Sequence, residues 1–156
     1  MLRLLCMFIL VLAPGCGYVA PTLRVAEVRL AERTESGLVL DISVDAENRN
    51  EVELPLRDVN YTVTLDNGWS FTGVRSPEAS LRRLGVQRIR FPAVFAITPG
   101  SEAPVGEIGC RVSGRLGYTA PSKIAKDLFD SGVRRPTVAF GGEARVDVGG
   151  AAKPSN

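Results

Sequence analysis

From Leu23 onward the sequence alternates with a period of two, and no other feature constrains the fold as tightly. Successive side chains of a β-strand point to opposite faces, so alternation of apolar and polar residues describes a strand with one buried and one wet face. Leu38, Leu40, Ile42, Val44 and Ala46 form one such face, opposite Val39, Asp41, Ser43, Asp45 and Glu47. Val59, Tyr61, Val63 and Leu65 form a second, and Asp66-Asn67-Gly68 then leads into Trp69-Ser70-Phe71. Asn and Gly tolerate positive φ, so residues 59–74 read as a β-hairpin with a type I′ turn. Ile89, Phe91, Ala93, Phe95 and Ile97 share a third face; Pro92 among them cannot donate to a ladder and belongs at an edge or a bulge. Cys110, Val112, Gly114, Leu116 and Tyr118 share a fourth, which points Cys110 inward. Val138, Phe140, Ala144, Val146 and Val148 stay in phase if Gly141-Gly142 continues the strand. Leu23 and Val25 fall out of phase with Val28 and Leu30, which predicts a bulge near Ala26 and Glu27.

One segment has the helical period instead. Ser122 is a suitable N-cap, Gly132 a suitable stop, and Ile124, Ala125, Leu128 and Phe129 form an apolar face expected to pack over an open end of the core. About seven short strands with a single late helix describe an antiparallel sandwich rather than alternating βα units. The expected fold is mainly β, an immunoglobulin- or fibronectin III-like sandwich over residues 23–148. Residues 16–22 read as a tether, and the small, polar stretch 149–156 as a disordered tail.

The first fifteen residues carry a cation at Arg3, an apolar run from Leu4 to Leu12, then Ala13-Pro14-Gly15 before Cys16. A helix that spans a bilayer needs about 20 apolar residues, so this run reads as a signal peptide over 1–15 rather than a span. Ala13-Pro14-Gly15-Cys16 resembles the lipobox of bacterial lipoproteins, although Ala13 replaces the usual Leu and Pro14 is unusual. That resemblance implies acylation of Cys16 and a membrane as partner, reached through the lipid. Gly17, where Asp would retain a lipoprotein at the inner membrane, implies the periplasmic face of the outer membrane. Ordinary secretory cleavage near Ala20 is the alternative.

Cysteine and histidine usage narrows the chemistry. With Cys6 in the signal and Cys16 acylated, Cys110 has no intramolecular partner, so no disulfide framework exists. The chain contains no histidine, which removes Ser-His and Cys-His nucleophiles and His-ligated zinc. A formal charge of +2 with cations and anions interspersed leaves no nucleic-acid footprint. No catalytic residue, cofactor site or metal-ligand set stands out, and the chain reads as a non-enzyme.

The stretch Val39–Ile97 contains Asn48-Arg49-Asn50, then Leu54-Pro55-Leu56, a strand through Tyr61, Asn67-Gly68, and Gly85-Val-Gln-Arg-Ile-Arg-Phe-Pro92. In that order these resemble the LEA type 2 family, the water stress and hypersensitive response domain, whose members carry an Asn-Pro-Asn turn, a Leu-Pro-Leu-like segment and a strand that opens with Tyr. Here Arg49 replaces the central Pro, which removes its φ restraint while both Asn side chains can still bond to nearby backbone. The resemblance implies a folded LEA14-like sandwich and an association with desiccation and other stress, with no catalytic residues.

Three surface groups remain. Asp41, Asp45 and Glu47 share an outward face, but alternate strand residues are about 6.5–7 Å apart, far for shared calcium coordination. Pairing with Arg88, Arg90, Arg111 or Arg115 is expected instead. Arg82, Arg83, Arg88 and Arg90 are candidates for contact with anionic headgroups, and Trp69 is expected in the core. The expected role is a non-catalytic, membrane-anchored lipoprotein, protective in desiccation or envelope stress. The alternatives are an interaction subunit of an envelope assembly and a hydrolase that works without histidine.

Overall fold

The computed structural model describes residues 18–98, 100, 103–133 and 135–149. Residues 1–15, read from the sequence as a signal peptide, Cys16 and the expected tail beyond Gly149 lie outside the described residues.

Eight strands and one helix follow in order: β1 Thr22–Arg33, β2 Gly37–Asn48, β3 Leu54–Leu65, β4 Ser70–Arg75, β5 Ser80–Leu81, β6 Gly85–Ala96, β7 Glu107–Tyr118, α1 Lys123–Asp130 and β8 Thr137–Asp147. One sheet has the order β1-β2-β6; the other has β4-β3-β7-β8, with β5 paired to the start of β3. All pairings are antiparallel. The fold is the expected mainly-β sandwich. Its extra strand, β5, is only two residues long, too short to show a period in the sequence.

The alternating faces close on each other. Leu38, Leu40, Ile42 and Val44 of β2 face Val59, Tyr61, Val63 and Leu65 of β3, and all of these are buried. The Tyr61 hydroxyl donates to the Pro92 carbonyl, and its ring packs on Phe71 and Phe91, so one side chain joins the two sheets. Pro92 lies on β6, an edge strand that pairs only with β2, where its missing N–H costs no ladder bond. Strand β8 runs unbroken through Gly141-Gly142. A Cβ on Gly142 would lie 2.9 Å from Val25 Cβ, so its absence lets β1 close against β8. Trp69 is half-buried and stacks on Phe95 with ring centroids 6.4 Å apart.

Two local expectations are corrected and a third is extended. The β3–β4 turn is not type I′, because Gly68 has a φ of 86° while neither Asp66 nor Asn67 is positive. The Gly68 N–H donates to Leu65 O, and Leu65 N–H to Trp69 O, a three-residue loop that ends in a left-handed glycine. Strand β1 carries the expected bulge at Ala26 and a second at Ala31. Helix α1 has the expected Ser122 cap, which accepts from Ala125 N at 3.0 Å, and Gly132 follows it at a φ of 76°. Of its apolar face, however, Ala125, Leu128 and Phe129 are only half-buried and do not join the core. The Phe129 ring is covered by guanidinium groups, Arg57 at 4.9 Å and Arg135 at 5.8 Å.

Candidate functional site

Strands β2, β3, β6, β7 and β8 bring one end of the sandwich together at Asn48, Leu54, Gly85, Tyr118 and Thr137, and β1 begins there too. Here the Asn48-Arg49-Asn50 turn becomes a binding element. Asn48 is 1% exposed. Its Nδ2 donates to Val52 O at 2.8 Å, with Arg82 O at 3.1 Å and Leu81 O at 3.3 Å also within reach. Its Oδ1 accepts from both the backbone N–H and the Nδ2 of Asn50, at 2.9 and 2.8 Å. One side chain therefore joins the β2–β3 turn to the β5–β6 turn.

Asn50 extends this network to the N-terminal segment. Val19 N–H donates to Asn50 Oδ1 and Asn50 Nδ2 donates to Val19 O, both at 2.8 Å, in the reciprocal pattern of a strand pair. Tyr18 sets its ring edge-on to Tyr118 with centroids 6.2 Å apart and an interplanar angle of 71°, and Pro21 is buried. The stretch read from the sequence as a tether is thus held from Tyr18 onward. The sequence marked Asn48 and Asn50 as turn formers; it carried no sign that their amides would grip a segment about 30 residues upstream.

The other singled-out residues are dispersed. Asp41 pairs with Arg29 at 3.0 Å, Asp45 with Arg88 at 2.8 Å and Glu47 with Arg49 at 3.0 Å. Hydrogen bonds from Arg88 and Arg49 hold the Asp45 and Glu47 carboxyls below their ordinary values. Arg111 and Arg115 reach none of these three, because they lie on β7 in the other sheet; Arg111 pairs with Glu143 instead. Arg90 stands opposite Ser43 rather than a carboxylate. Among the described residues no cluster of His, Cys, Asp and Glu could hold a metal ion. Cys110 is buried, and burial pushes its thiol upward, which keeps it protonated.

The arginine set divides in two. Arg88 and Arg90 line an open groove of about 640 Å³ with Arg75, Pro77 and Pro92, and no carboxylate borders it. Arg82 and Arg83 instead stand at the Asn48 end, in the turn between β5 and β6. The polar side chains that line this groove are those of Arg75, Ser76, Gln87, Arg88 and Arg90, whereas Asp66 and Glu143 line a separate cavity of about 320 Å³ with Arg111 and Arg145. Among the described residues no buried side-chain polar atom lacks a hydrogen-bond partner.

The class that these features define is an antiparallel β-sandwich, and its fold is similar to that of an LEA protein. A solution structure of a late embryogenesis abundant (LEA) protein matches with a TM-score of 0.59 over 83% of this chain and 71% of that one, at 13% identity. A crystal structure of a protein from Archaeoglobus fulgidus matches over 85% of this chain and 98% of the other, with a TM-score of 0.47 and 11% identity. No family model and no curated relative matches the sequence.

Proposed function

We propose that this chain is a non-catalytic, lipid-anchored protein of the bacterial envelope whose LEA14-like sandwich works at the periplasmic face of the outer membrane as a protective module in desiccation or envelope stress. The observation that carries the reading is the Asn50–Val19 clamp. It holds the backbone three residues beyond Cys16, so an acyl group on Cys16 would lie within about 11 Å of a fixed point of the domain. Three acyl chains on that cysteine would make the attachment effectively permanent, since two already hold a protein stably. The stress role rests on the likeness to the LEA fold.

Metabolic palmitate labelling of the wild type and Cys16→Ser tests the anchor. Label on the wild type alone supports it; equal label on both, or none on a protein that is still exported, rejects it. Survival after drying, compared between a deletion strain and its complement, tests the protective role. The unpaired side of β6, where Val86 and Val94 are 66% and 53% exposed, supports a second reading as a subunit of an envelope assembly. Co-purification of a stoichiometric envelope partner would favour it.

A further inference from the structure

Three large apolar side chains at the Asn48 end are turned outward: Val19 is 55% exposed, Val52 47% and Leu84 66%. They come from three separate segments, yet one hydrogen-bonded node gathers them. Val19 is bonded on both sides to the Asn50 amide, Val52 O accepts from Asn48 Nδ2, and Leu84 N–H donates to Asn50 O at 3.0 Å. Leu84 adds an independent sign. Its φ is +48°, a conformation that leucine rarely adopts, and the bond to Asn50 holds it there with its side chain in solvent. A fold that merely needed a turn at this place would be served better by Gly or Asn.

On the anchoring reading the occupant of this rim is the bilayer. Tyr18 follows Cys16 by two residues and Val19 is clamped to Asn50, so a lipid on Cys16 would lie beside this end of the domain. Formal charge does not choose an anionic partner: Arg82 and Arg83 in one turn are balanced by Glu51 and Glu53 in the next, and Arg49 is paired with Glu47. The rim is therefore apolar and electrically neutral.

We propose that Val19, Val52 and Leu84 form a bilayer-docking rim that inserts shallowly among the lipid headgroups and stands the sandwich on its Asn48 end. This rests on the anchoring reading above and adds a defined orientation to it. Apolar side chains, rather than the arginines, supply the contact, so docking is the same on neutral and on anionic bilayers and is insensitive to salt.

The test uses the full acylated protein, purified from membranes and reconstituted both in phosphatidylcholine vesicles and in vesicles of phosphatidylethanolamine with phosphatidylglycerol. An environment-sensitive fluorophore is attached at Leu84→Cys, at Val52→Cys, or at Ser36→Cys in the β1–β2 turn at the opposite end. Cys110 is buried and does not compete for label in the folded protein. The expected result is blue-shifted emission at positions 84 and 52, quenched by shallow nitroxide lipids from a depth of about 5–10 Å, with position 36 in water. Val52→Cys keeps the test valid if Leu84→Cys fails to fold. Flotation with the vesicles while positions 84 and 52 remain in water leaves the anchor standing and overturns this inference alone; failure to float overturns both. Docking confined to anionic vesicles or lost in high salt would overturn the apolar account. So would a shift that grows with protein density and escapes lipid quenching, because it marks a protein contact.

Discussion

Asn48 joins more of the chain than any other side chain at its end of the sandwich, and Asn48→Ala measures that role. Its Nδ2 has two protons for three carbonyls within reach, and its Oδ1 accepts twice, so about four hydrogen bonds are lost at a site that is 1% exposed. At about 1 kcal/mol net for each, less what the carbonyls of the exposed Val52 and Arg82 regain from water, the cost is about 3–4 kcal/mol. Asn50→Ala removes the two bonds to Val19 and one to Asn48, but Val19 is exposed and its backbone groups regain water, so the global cost is about 1 kcal/mol. With a urea slope of about 2 kcal/mol/M, the midpoints fall by about 1.5–2 M and 0.5 M respectively. Native-state hydrogen exchange separates the two roles further: Asn50→Ala abolishes protection of the Val19 amide and leaves the β2–β6 ladder protected. If Asn48→Ala costs under about 1 kcal/mol, or less than Asn50→Ala, the turn is not the junction described here.

Glycine positions give a matched pair. A Cβ on Gly114 would lie 2.5 Å from the Phe140 ring and 2.8 Å from Asn60 O, so Gly114→Ala overpacks the sheet at a cost of about 1–3 kcal/mol. At Gly109 the nearest obstacle to a Cβ is the carboxylate of exposed Asp66, which can rotate away, so the cost of Gly109→Ala stays within about 0.5 kcal/mol; thermal melts compare the two. Maleimide labelling mapped by mass spectrometry should find Cys110 unmodified until urea unfolds the sandwich, and early modification would contradict its burial. The Asp45 carboxyl, held below its ordinary value of 3.8 chiefly by the Arg88 hydrogen bond, contributes stability that is present above that pH and lost as pH falls below it. Arg88→Gln should raise the Asp45 titration midpoint seen by NMR, and an unchanged midpoint would reject the pairing.

The parts of this fold that were legible in the sequence are those fixed by local alternation. Leu38 to Ala46, Val59 to Leu65 and Cys110 to Tyr118 each announce a buried face, and Pro92 announces an edge, because one strand's burial is written in its own residues. What depended on distant partners was not. The two-residue β5 exists only because β3 is there to pair with it, and the second bulge at Ala31 is set by registry against β2. The Asn67-Gly68 pair suits two turn geometries, and pairing of Leu65 with Trp69 chose the three-residue one. Helix α1 had a clear cap and a clear face, but periodicity cannot tell whether a face meets a core or a pair of guanidiniums. The same limit hid the clamp: both asparagines read as turn residues, and nothing near them in the chain names Val19 as the ligand.

The number of strand passes also fixes where the chain leaves. β5 does not cross the sandwich, so the backbone traverses it seven times, and seven is odd. A chain that enters beside Asn48 must therefore exit at the far end, where Asp147 closes β8 against Glu107 and Arg33 donates to the Val148 carbonyl. Eleven residues of β8 span about 37 Å, so Asp147 lies about that far from Thr137, at the other end of the sandwich. Parity thus gives the domain a fixed polarity, with Tyr18 at one pole and Gly149 at the other. A reporter appended after Gly149 would therefore sit at the pole opposite the Asn48–Asn50 node and leave that node undisturbed.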